Sequence, residues 1–388
     1  MSDKLRVGII GLGFIGTMKH LEGLAQHKDK AEVVAFCDYQ IERAEKAKEA
    51  HGSADAYACT DYMRVVNDPS IDVIHVCTWN TNHCEITCAA LEAGKHVLCE
   101  KPLSDTLASA HKMTDLAKEA SSVVRIGLTY RRQPGVAAIR NWIQDGTLGE
   151  VLHFSGRYWC DYGCNPMAPM SWRYKGPMGS GALADLGSHL TYLSEFLCGG
   201  ITAVSGGAFA TTIKERPVPL GSVVGHGLAA ISDRKETVEN DDYATFTAFF
   251  GETRGSLEVS RVAAGYPNGL DFEVFCENGA ASFHQDTPSQ VRLYLNDDHP
   301  GTNGYRTVNL GADHPYVAGG MPIDVSGVGF GQNEGFTYQA RAFLEEVAGI
   351  PEEESLPRNA SFDEGVHNME ILAAVARSAA DNGKQVNL

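Results

Sequence analysis

The sequence has no apolar run near the roughly 20 residues that a membrane helix needs, so it predicts no membrane-spanning segment. Basic residues are scarce as well, since 32 Lys and Arg stand against 49 Asp and Glu, for a formal net charge of −17. Nonspecific nucleic-acid binding needs a basic surface, so we expect no nucleic-acid partner. The amino-terminal residues show no signal-peptide pattern, and we expect a cytoplasmic protein.

The ten cysteines are not spaced as metal ligands, and no Cys-x-x-Cys occurs. Cys84 and Cys88 are four residues apart, as are Cys160 and Cys164, with no second pair at zinc-site spacing. Several other cysteines lie in apolar runs, where a reduced cysteine behaves as a small hydrophobic residue. We therefore expect no metal site, and thiols kept reduced in the cytoplasm.

A glycine-rich turn follows the first predicted strand, residues 6–10. Its spacing is Gly11-x-Gly13-x-x-Gly16, and a helix is predicted after it. Glycines at this spacing permit a tight turn, close approach of the backbone to a pyrophosphate, and close packing of helix on strand. The amino terminus of the helix then presents unpaired N–H groups to the phosphates. The turn therefore predicts a dinucleotide site.

An acidic residue supports this prediction. The second predicted strand, residues 32–37, ends in Asp38, which lies 22 residues past Gly16, about where a dinucleotide fold places the acid that binds the ribose hydroxyls. A carboxylate there repels a 2′-phosphate, and Tyr39 and Gln40 supply no arginine to bind one. NAD is therefore expected rather than NADP. The alternative is that Asp38 simply ends a strand.

Strands and helices continue to alternate up to residue 128, which predicts a doubly wound parallel sheet. Residues 78–83 follow one of these strands and should flank the cofactor, although each polar residue there also suits a helix cap or turn. Lys101 follows the next strand, and Pro102 disfavours helical geometry at the lysine. Ligands bind beyond the carboxyl ends of such strands, so Lys101 is placed to touch a substrate. The alternative is a solvated loop lysine.

The remainder of the chain has a different pattern. Strand-like stretches joined by turns, with few helices between them, predict a mostly antiparallel sheet in an α+β domain. Asn278-Gly279 predicts a hairpin, and a closing amphipathic helix is expected at about residues 363–380. Residues 221–239 and 297–331 are interpreted as loop-rich.

A glycine-rich helix is predicted over residues 179–197. Its leucines recur every three or four residues and should form the buried stripe; they are Leu183, Leu186, Leu190, Leu193 and Leu197. Asp185 and His189 lie four apart on another face. A carboxylate one turn from an imidazole can raise its basicity and fix its orientation. The alternatives are a surface pair and a histidine bonded within the protein.

Together the glycine turn, Glu100-Lys101-Pro102 and the Asp185-x-x-x-His189 helix resemble the Gfo/Idh/MocA family of oxidoreductases, over nearly the whole chain. The resemblance implies a Rossmann domain over residues 1–128 and, over residues 129–388, a second domain with a large open sheet that pairs subunits as a homotetramer or dimer. Trp79 departs from the family, whose members usually carry proline there, and is expected to supply an aromatic surface near the nicotinamide.

The resemblance places the reactive groups on Lys101, Asp185 and His189. Oxidation of a secondary alcohol sends a hydride to nicotinamide and a proton to a base, and histidine, with an ordinary pKa of about 6.5, suits that base near neutral pH. Lys101 would then stabilise the negative charge that develops on the reacting oxygen. A desolvated Lys101 acting as the base is the second alternative. We expect Asp185 to hold the imidazole or a neighbouring substrate hydroxyl.

We therefore expect an NAD-dependent dehydrogenase acting on a cyclic polyol or sugar, with scyllo- or myo-inositol first and a glucoside or free hexose second. A non-catalytic NAD-binding regulator is the alternative of a different class. Cofactor contacts are expected at Gly11, Gly13, Phe14, Ile15, Gly16, Asp38, Thr78, Trp79, Asn80, His83, Glu100 and Lys101. Substrate contacts are expected at Lys101, Tyr130, Arg131, Tyr158, Trp172, Arg173, Asp185 and His189.

Overall fold

The computed structural model describes residues 4–388 except 222, 224, 226, 228, 297, 298, 300 and 311–330. It divides into two compact units. The first consists of Met1–Arg132 with Gln332–Met369, and the second of Gln133–Gly331 with Glu370–Leu388. No helix among the described residues is long and apolar enough to cross a membrane.

The first unit is built on a six-stranded parallel sheet of order β3-β2-β1-β4-β5-β6. Its strands are β1 (Leu5–Ile10), β2 (Ala31–Cys37), β3 (Tyr57–Cys59), β4 (Val73–Val76), β5 (His96–Cys99) and β6 (Val124–Ile126). The helices between them are α1 (Glu22–Ala25), α2 (Ile41–His51), α3 (Tyr62–Val66), α4 (Asn80–Glu92) and α5 (Leu107–Glu119). The predicted doubly wound sheet is confirmed, although the short β3 and α3 were not predicted.

Central strands of this sheet are buried on both faces, as parallel strands covered by helices must be. All four residues of β4 and the last four of β1 are buried. Their carboxyl ends share one edge of the sheet, so the segments after β1, β2, β4 and β5 lie along that edge. These segments carry the glycine turn, Asp38, Trp79 and Lys101.

The second unit contains a nine-stranded sheet of order β16-β15-β14-β13-β7-β12-β11-β8-β17. Its pairings are antiparallel except that between β7 and β12, so the predicted mostly antiparallel sheet is confirmed. Its strands are β7 (Val151–Trp159), β8 (Ala203–Ala210), β11 (Tyr243–Phe250), β12 (Thr253–Ser260), β13 (Gly269–Cys276), β14 (Gly279–His284), β15 (Gln290–Leu295), β16 (Arg306–Asn309) and β17 (Val386–Asn387). A separate pair is formed by β9 (Glu215–Pro219) and β10 (Ile231–Thr237). The helices of this unit include α6 (Pro134–Gln144) and α7 (Ser188–Cys198).

Two details bear on the sequence predictions. The hairpin at Asn278-Gly279 is confirmed, since Cys276 of β13 pairs with Gly279 of β14. The loop-rich interpretation is wrong for β10 and β16, which lie in the two segments but form strands because each pairs with a neighbouring strand. Residues 311–330 of the second segment lie outside the described residues.

Two helices follow, α8 (Gln332–Val347) and α9 (Phe362–Ala380), and α9 was predicted. The helix α8 was not predicted. The predicted second domain, residues 129–388, included residues 332–369, and packing of the closing helix back toward the first domain was left open. In the structure α8 contributes Ala340, Phe343 and Leu344 to the hydrophobic core of the first unit. Ala360, which lies between the two helices, forms a β-bridge with Ile126 of β6. This packing makes the segment part of the first unit.

Candidate active site

The glycine turn has the geometry that a bound pyrophosphate requires. Gly11 has a φ of +97°, and a Cβ at Gly16 would lie 2.1 Å from the Gly11 carbonyl oxygen, so these two positions require glycine. A Cβ at Gly13 would meet no atom within 4 Å, so Gly13 faces open space. These are the features of a turn that lets its backbone approach a phosphate. Residues Gly16–Leu21 then form a π-helical segment, and α1 continues it.

Asp38 is fixed at the end of β2 by the backbone. It is 6% exposed, and its Oδ2 accepts the N–H of Leu12 at 2.8 Å while Oδ1 accepts the N–H of Gln40 at 2.9 Å. A carboxylate offers about four acceptor positions, so it retains positions for two ribose hydroxyls. Arg43, in the first turn of α2, lies 4.0 Å from Oδ1, and this neighbour was not predicted.

Two exposed aromatic rings lie beside Asp38. Tyr39 is 65% exposed and Trp79 is 61% exposed, and their ring centroids are 5.9 Å apart at a tilt of 41°. The guanidinium of Arg43 lies 5.6 Å from the Tyr39 centroid. Trp79 therefore packs with Tyr39, the residue that follows Asp38, and its predicted place near the nicotinamide stays a prediction. Phe14 is also exposed, and Ile15 lies at the border of exposure.

His83 links two loops at this edge of the sheet. Its side chain is buried, with Nε2 3.1 Å from the carbonyl oxygen of Thr78 and Nδ1 2.9 Å from that of Pro102. Burial lowers the pKa of His83, so near neutral pH the ring is neutral and donates to one carbonyl at a time. Its contacts are thus with backbone, and Asn80 begins α4 just before it.

Lys101 is the second residue after β5 and is half-buried. The Lys101–Pro102 peptide bond is cis. The Glu100 side chain turns inward: it is buried, and its Oε2 accepts the backbone N–H of Lys101 at 3.0 Å.

Two of the predicted substrate residues are buried in the first unit. Tyr130 and Arg131 lie in the 3-10 helix Thr129–Arg132, and the guanidinium of Arg131 pairs with Glu364. Burial raises the pKa of Glu364, but Arg131 and hydrogen bonds from Ser361 outweigh it and leave the pKa below its ordinary value. The charge of Arg131 is thus engaged by a carboxylate of its own unit.

In the second unit, the first N–H groups of the glycine-rich helix and of the turn before it donate to a carboxylate that is distant in sequence. Asp241 is fully buried, and its Oδ1 accepts the N–H groups of Gly179 and Gly181 at 2.8 and 2.9 Å, while Oδ2 accepts that of Leu183 at 2.8 Å. A carboxylate there satisfies otherwise unpaired donors at the helix start. A Cβ at Gly181 would lie 2.1 Å from the Asp241 carbonyl oxygen, so this approach requires glycine.

Asp185 lies on the π-helical segment Leu183–Gly187, which α7 continues. The predicted stripe of five leucines is confirmed, since all five are buried. The hydroxyl of Tyr162 donates to Asp185 Oδ2 at 2.9 Å, and Arg173 Nη1 lies 3.6 Å from the same oxygen. Burial, and then the Asp185 charge, raise the pKa of Tyr162 well above its ordinary value, so it remains a donor. π-helical segments occur frequently at functional sites.

Aromatic rings lie beside His189 and beside Arg173, the arginine that neighbours Asp185. The guanidinium of Arg173 lies 4.5 Å from the ring centroid of Trp172, which is 61% exposed. The rings of Tyr158 and His189 are 6.0 Å apart, and the Tyr158 hydroxyl donates to Asn268 at 2.7 Å.

The structure therefore groups the predicted residues in two sets. The first unit holds the glycine turn, Asp38, the 78–83 loop and Lys101, together with Tyr130 and Arg131. The second holds Tyr158, Trp172, Arg173, Asp185 and His189.

Tyr162 and Asp241 were not predicted, because no local sequence pattern marks a tyrosine or an aspartate that contacts a helix from a distant part of the chain. No group of three or more potential metal ligands occurs among the described residues.

Comparison with known proteins gives the family. Residues 5–128 match the model of the oxidoreductase family with an NAD-binding Rossmann fold, and residues 136–282 match the GFO/IDH/MocA C-terminal domain. The chain is 32% identical over 389 residues to levoglucosan dehydrogenase of Pseudarthrobacter phenanthrenivorans, which covers 97% of each chain. It is 35% identical over 156 residues to inositol 2-dehydrogenase of Salmonella typhimurium, covering 40% of this chain and 46% of that one.

A solved structure of levoglucosan dehydrogenase in complex with NADH and levoglucosan aligns over 99% of both chains, with a TM-score of 0.87 and 30% identity. The predicted cofactor, NAD, agrees with the family model and with this complex. The predicted family resemblance is confirmed as well. The chain belongs to the GFO/IDH/MocA family and is an NAD-dependent oxidoreductase that acts on the CH–OH group of a sugar or polyol.

Proposed function

We propose that this protein oxidises a secondary hydroxyl of a pyranose ring, with levoglucosan or a similar anhydro sugar as its preferred substrate. The observation that carries this proposal is the similarity over 97% of both chains to levoglucosan dehydrogenase, which includes the second unit. Inositol, the first choice from sequence, becomes the second candidate. It keeps support from the inositol 2-dehydrogenases, whose similarity covers 40% of this chain.

The proposed reaction uses groups from both units. When bound, NAD⁺ accepts the hydride from the carbinol carbon. His189 accepts the hydroxyl proton, and Lys101 donates a hydrogen bond to the reacting oxygen and stabilises its developing negative charge. The products are a ketone, NADH and one proton. A second possibility is that Lys101 accepts the proton, which requires desolvation to keep its amine neutral before the reaction.

Substrate binding is assigned to the second unit. The exposed face of Trp172 suits the apolar face of a sugar ring, and Asp185 accepts hydrogen bonds from ring hydroxyls. Tyr162 and Arg173 already hold one oxygen of Asp185, which fixes the carboxylate for that task. The Tyr158 ring lies 6.0 Å from the His189 ring at a tilt of 58° and limits the movement of the imidazole.

Cofactor binding is assigned to the first unit. The glycine turn is assigned to the pyrophosphate and Asp38 to the adenosine ribose; the open space beside Gly13 and the remaining acceptor positions of Asp38 support these assignments. Tyr39 and Trp79 form the walls of an adenine site. His83 acts indirectly by joining the Thr78 and Pro102 backbones.

A substrate panel tests this function. Production of NADH is followed by absorbance with levoglucosan, methyl glucosides, free hexoses, and myo- and scyllo-inositol. We expect kcat/KM for levoglucosan to exceed that for either inositol by about tenfold or more, the effect of about 1.4 kcal/mol in the transition state. A higher kcat/KM for an inositol would restore inositol as the substrate. If NAD binds but no compound is turned over, the result would favour the alternative of a non-catalytic NAD-binding regulator.

We also propose that the chain forms a homotetramer or homodimer through the nine-stranded sheet. Alternate side chains of β7 are buried, whereas those at His153, Ser155 and Arg157 are exposed or half-buried. The pattern leaves one face of this strand available for a second copy. Light scattering on a sizing column should give two or four times the mass of one chain, 41.8 kDa, and a monomer would contradict the proposal.

A further inference from the structure

Three buried polar side chains form a chain of contacts that ends at Lys101. His20, His75 and Glu100 are 3%, 0% and 7% exposed. His75 Nδ1 lies 3.0 Å from His20 Nδ1, and His20 Nε2 lies 2.8 Å from Glu100 Oε1. The other oxygen of Glu100 accepts the backbone N–H of Lys101 at 3.0 Å. All four residues belong to the first unit.

The chemistry of these contacts fixes the direction of one hydrogen bond. Burial, and then the proximity of His20, lower the pKa of His75 well below its ordinary value, so His75 is neutral. A carboxylate oxygen can only accept, so the 2.8 Å contact between Glu100 Oε1 and His20 Nε2 requires a proton on Nε2, which His20 donates to the carboxylate. Between the two histidines, the tautomers decide which Nδ1 donates. Both carboxylate oxygens therefore receive an N–H donor.

Packing alone does not account for this arrangement. His75 Nε2 is buried and has no hydrogen-bond partner among the described residues, and the ring of Phe343 lies 5.9 Å away, centroid to centroid. An apolar residue would fill this position of β4 without leaving a polar atom unsatisfied. The buried histidine therefore lowers the stability of the fold, and its hydrogen bond to His20 is the contact that an apolar residue could not make.

The backbone of the neighbouring segment leaves room for the carboxylate. A Cβ at Gly127, which follows β6, would lie 2.6 Å from Glu100 Oε1. Because the carboxylate is held on both sides, it has no free path away from such a methyl group. Glycine at this position therefore preserves the position of Glu100.

We propose that Glu100 is a positioning residue for Lys101, and that His20 and His75 hold its carboxylate in place. The inference rests on the proposed function, in which Lys101 hydrogen-bonds the reacting oxygen. The carboxylate fixes the backbone N–H of Lys101 and so restrains the adjoining Cα, which bears the lysine side chain. His20 lies on the π-helical segment Gly16–Leu21, so the same contacts tie Lys101 to the helix that follows the pyrophosphate turn.

Four variants of the full-length protein test this proposal. Glu100→Gln keeps the size of the side chain but removes its charge and one acceptor, and Gly127→Ala displaces the carboxylate without changing it. His75→Leu removes the bond to His20 along with the unsatisfied nitrogen. Glu346→Gln is the matched control, because it removes another largely buried carboxylate of the first unit, one that pairs with Arg125.

The measurements are kcat, the primary deuterium isotope effect on kcat with carbinol-deuterated sugar, the Kd of NADH by fluorescence, and Tm. Since a displacement of about 1 Å costs about a hundredfold in rate, we expect Glu100→Gln and Gly127→Ala to lower kcat ten- to a hundredfold. The isotope effect should rise as hydride transfer becomes slower, while the Kd of NADH changes less than about threefold. His75→Leu should lower kcat less, with Tm equal or higher, and Glu346→Gln should lower Tm but not kcat.

Two results separate failure of this proposal from failure of the function on which it rests. If Lys101→Ala abolishes turnover while Glu100→Gln keeps the wild-type kcat and isotope effect, only the positioning role is refuted. A Lys101→Ala variant with wild-type turnover refutes the proposed role of the lysine, and with it this inference. The variant Glu100→Gln could also lose kcat, NADH affinity and Tm together. That result would show a structural role for Glu100 and would overturn the proposal.

Discussion

The two exposed aromatic rings beside Asp38 lead to a prediction about cofactor binding. Tyr39 and Trp79 follow β2 and β4, the strands on either side of β1, and their rings lie 5.9 Å apart. In this fold the adenosine end of a dinucleotide lies over the residue that ends β2. Trp79→Ala should therefore remove an adenine-stacking surface and leave the pyrophosphate turn unchanged.

The expected magnitude follows from the energy of stacking. A base on an aromatic side chain contributes about 1–3 kcal/mol, and each 1.4 kcal/mol is about tenfold in Kd. Trp79 is 61% exposed, so its removal leaves no large cavity and Tm should change little. We expect Trp79→Ala to raise the Kd of NADH roughly 5- to 150-fold. Trp79→Phe, which keeps an aromatic face, should recover most of the affinity.

The assay compares two reduced cofactors by calorimetry. Reduced nicotinamide mononucleotide lacks the adenosine half, so its Kd should be the same for Trp79→Ala and wild type. Trp172→Ala is the matched control, because Trp172 has the same exposed fraction, 61%, but belongs to the second unit. The control should leave the Kd of NADH unchanged. Equal weakening of NADH and the mononucleotide, or no weakening of either, would refute an adenine-stacking role.

Three further predictions concern the first unit. Gly13→Ala should leave Tm unchanged, because its Cβ meets no protein atom within 4 Å. The same methyl group would occupy the space assigned to the pyrophosphate, so the Kd of NADH should rise at least tenfold, the effect of about 1.4 kcal/mol. Gly16→Ala should lower both Tm and the affinity for NADH, because its Cβ would lie 2.1 Å from a carbonyl oxygen. Asp38→Ser should raise kcat/KM for NADP relative to NAD, and an unchanged ratio would contradict the assigned ribose contact. Glu364, whose folded pKa lies below the unfolded value of about 4.3, stabilises the protein fully above that pH and loses this effect as pH falls through the folded pKa. Glu364→Gln should therefore lower the free energy of unfolding at neutral pH by about 1 kcal/mol or less, since the carboxylate is half-exposed, and leave it unchanged well below pH ~4. Measurements of Tm at the two pH values check this, and equal decreases at both would count against it.

Local patterns in the sequence were sufficient for much of the fold. Apolar runs, the glycine turn and the leucine stripe each depend on neighbouring residues, and they led to the parallel sheet, the dinucleotide turn and the buried face of the Asp185 helix. The Asn278-Gly279 hairpin was found for the same reason.

Features that depend on distant residues were not predictable in this way. The turn before the helix, from Gly179 to Gly181, and the first helical residue, Leu183, donate N–H groups to Asp241, and Tyr162 donates to Asp185. No spacing along the chain indicates these contacts. The return of α8 to the first unit is a result of core packing against α1 and the first sheet. The inward orientation of Glu100 likewise depends on His20, which lies 80 residues away in sequence.

The central claim is that Lys101 and His189 act on one hydroxyl group. A crystal structure of the protein with NADH and levoglucosan tests it most directly. The account predicts that Lys101 Nζ and an imidazole nitrogen of His189 both lie about 3 Å from the same sugar oxygen, with Asp185 bonded to the imidazole or to a neighbouring hydroxyl. A bound sugar whose hydroxyl next to the nicotinamide contacts neither residue, or only one of them, would contradict it.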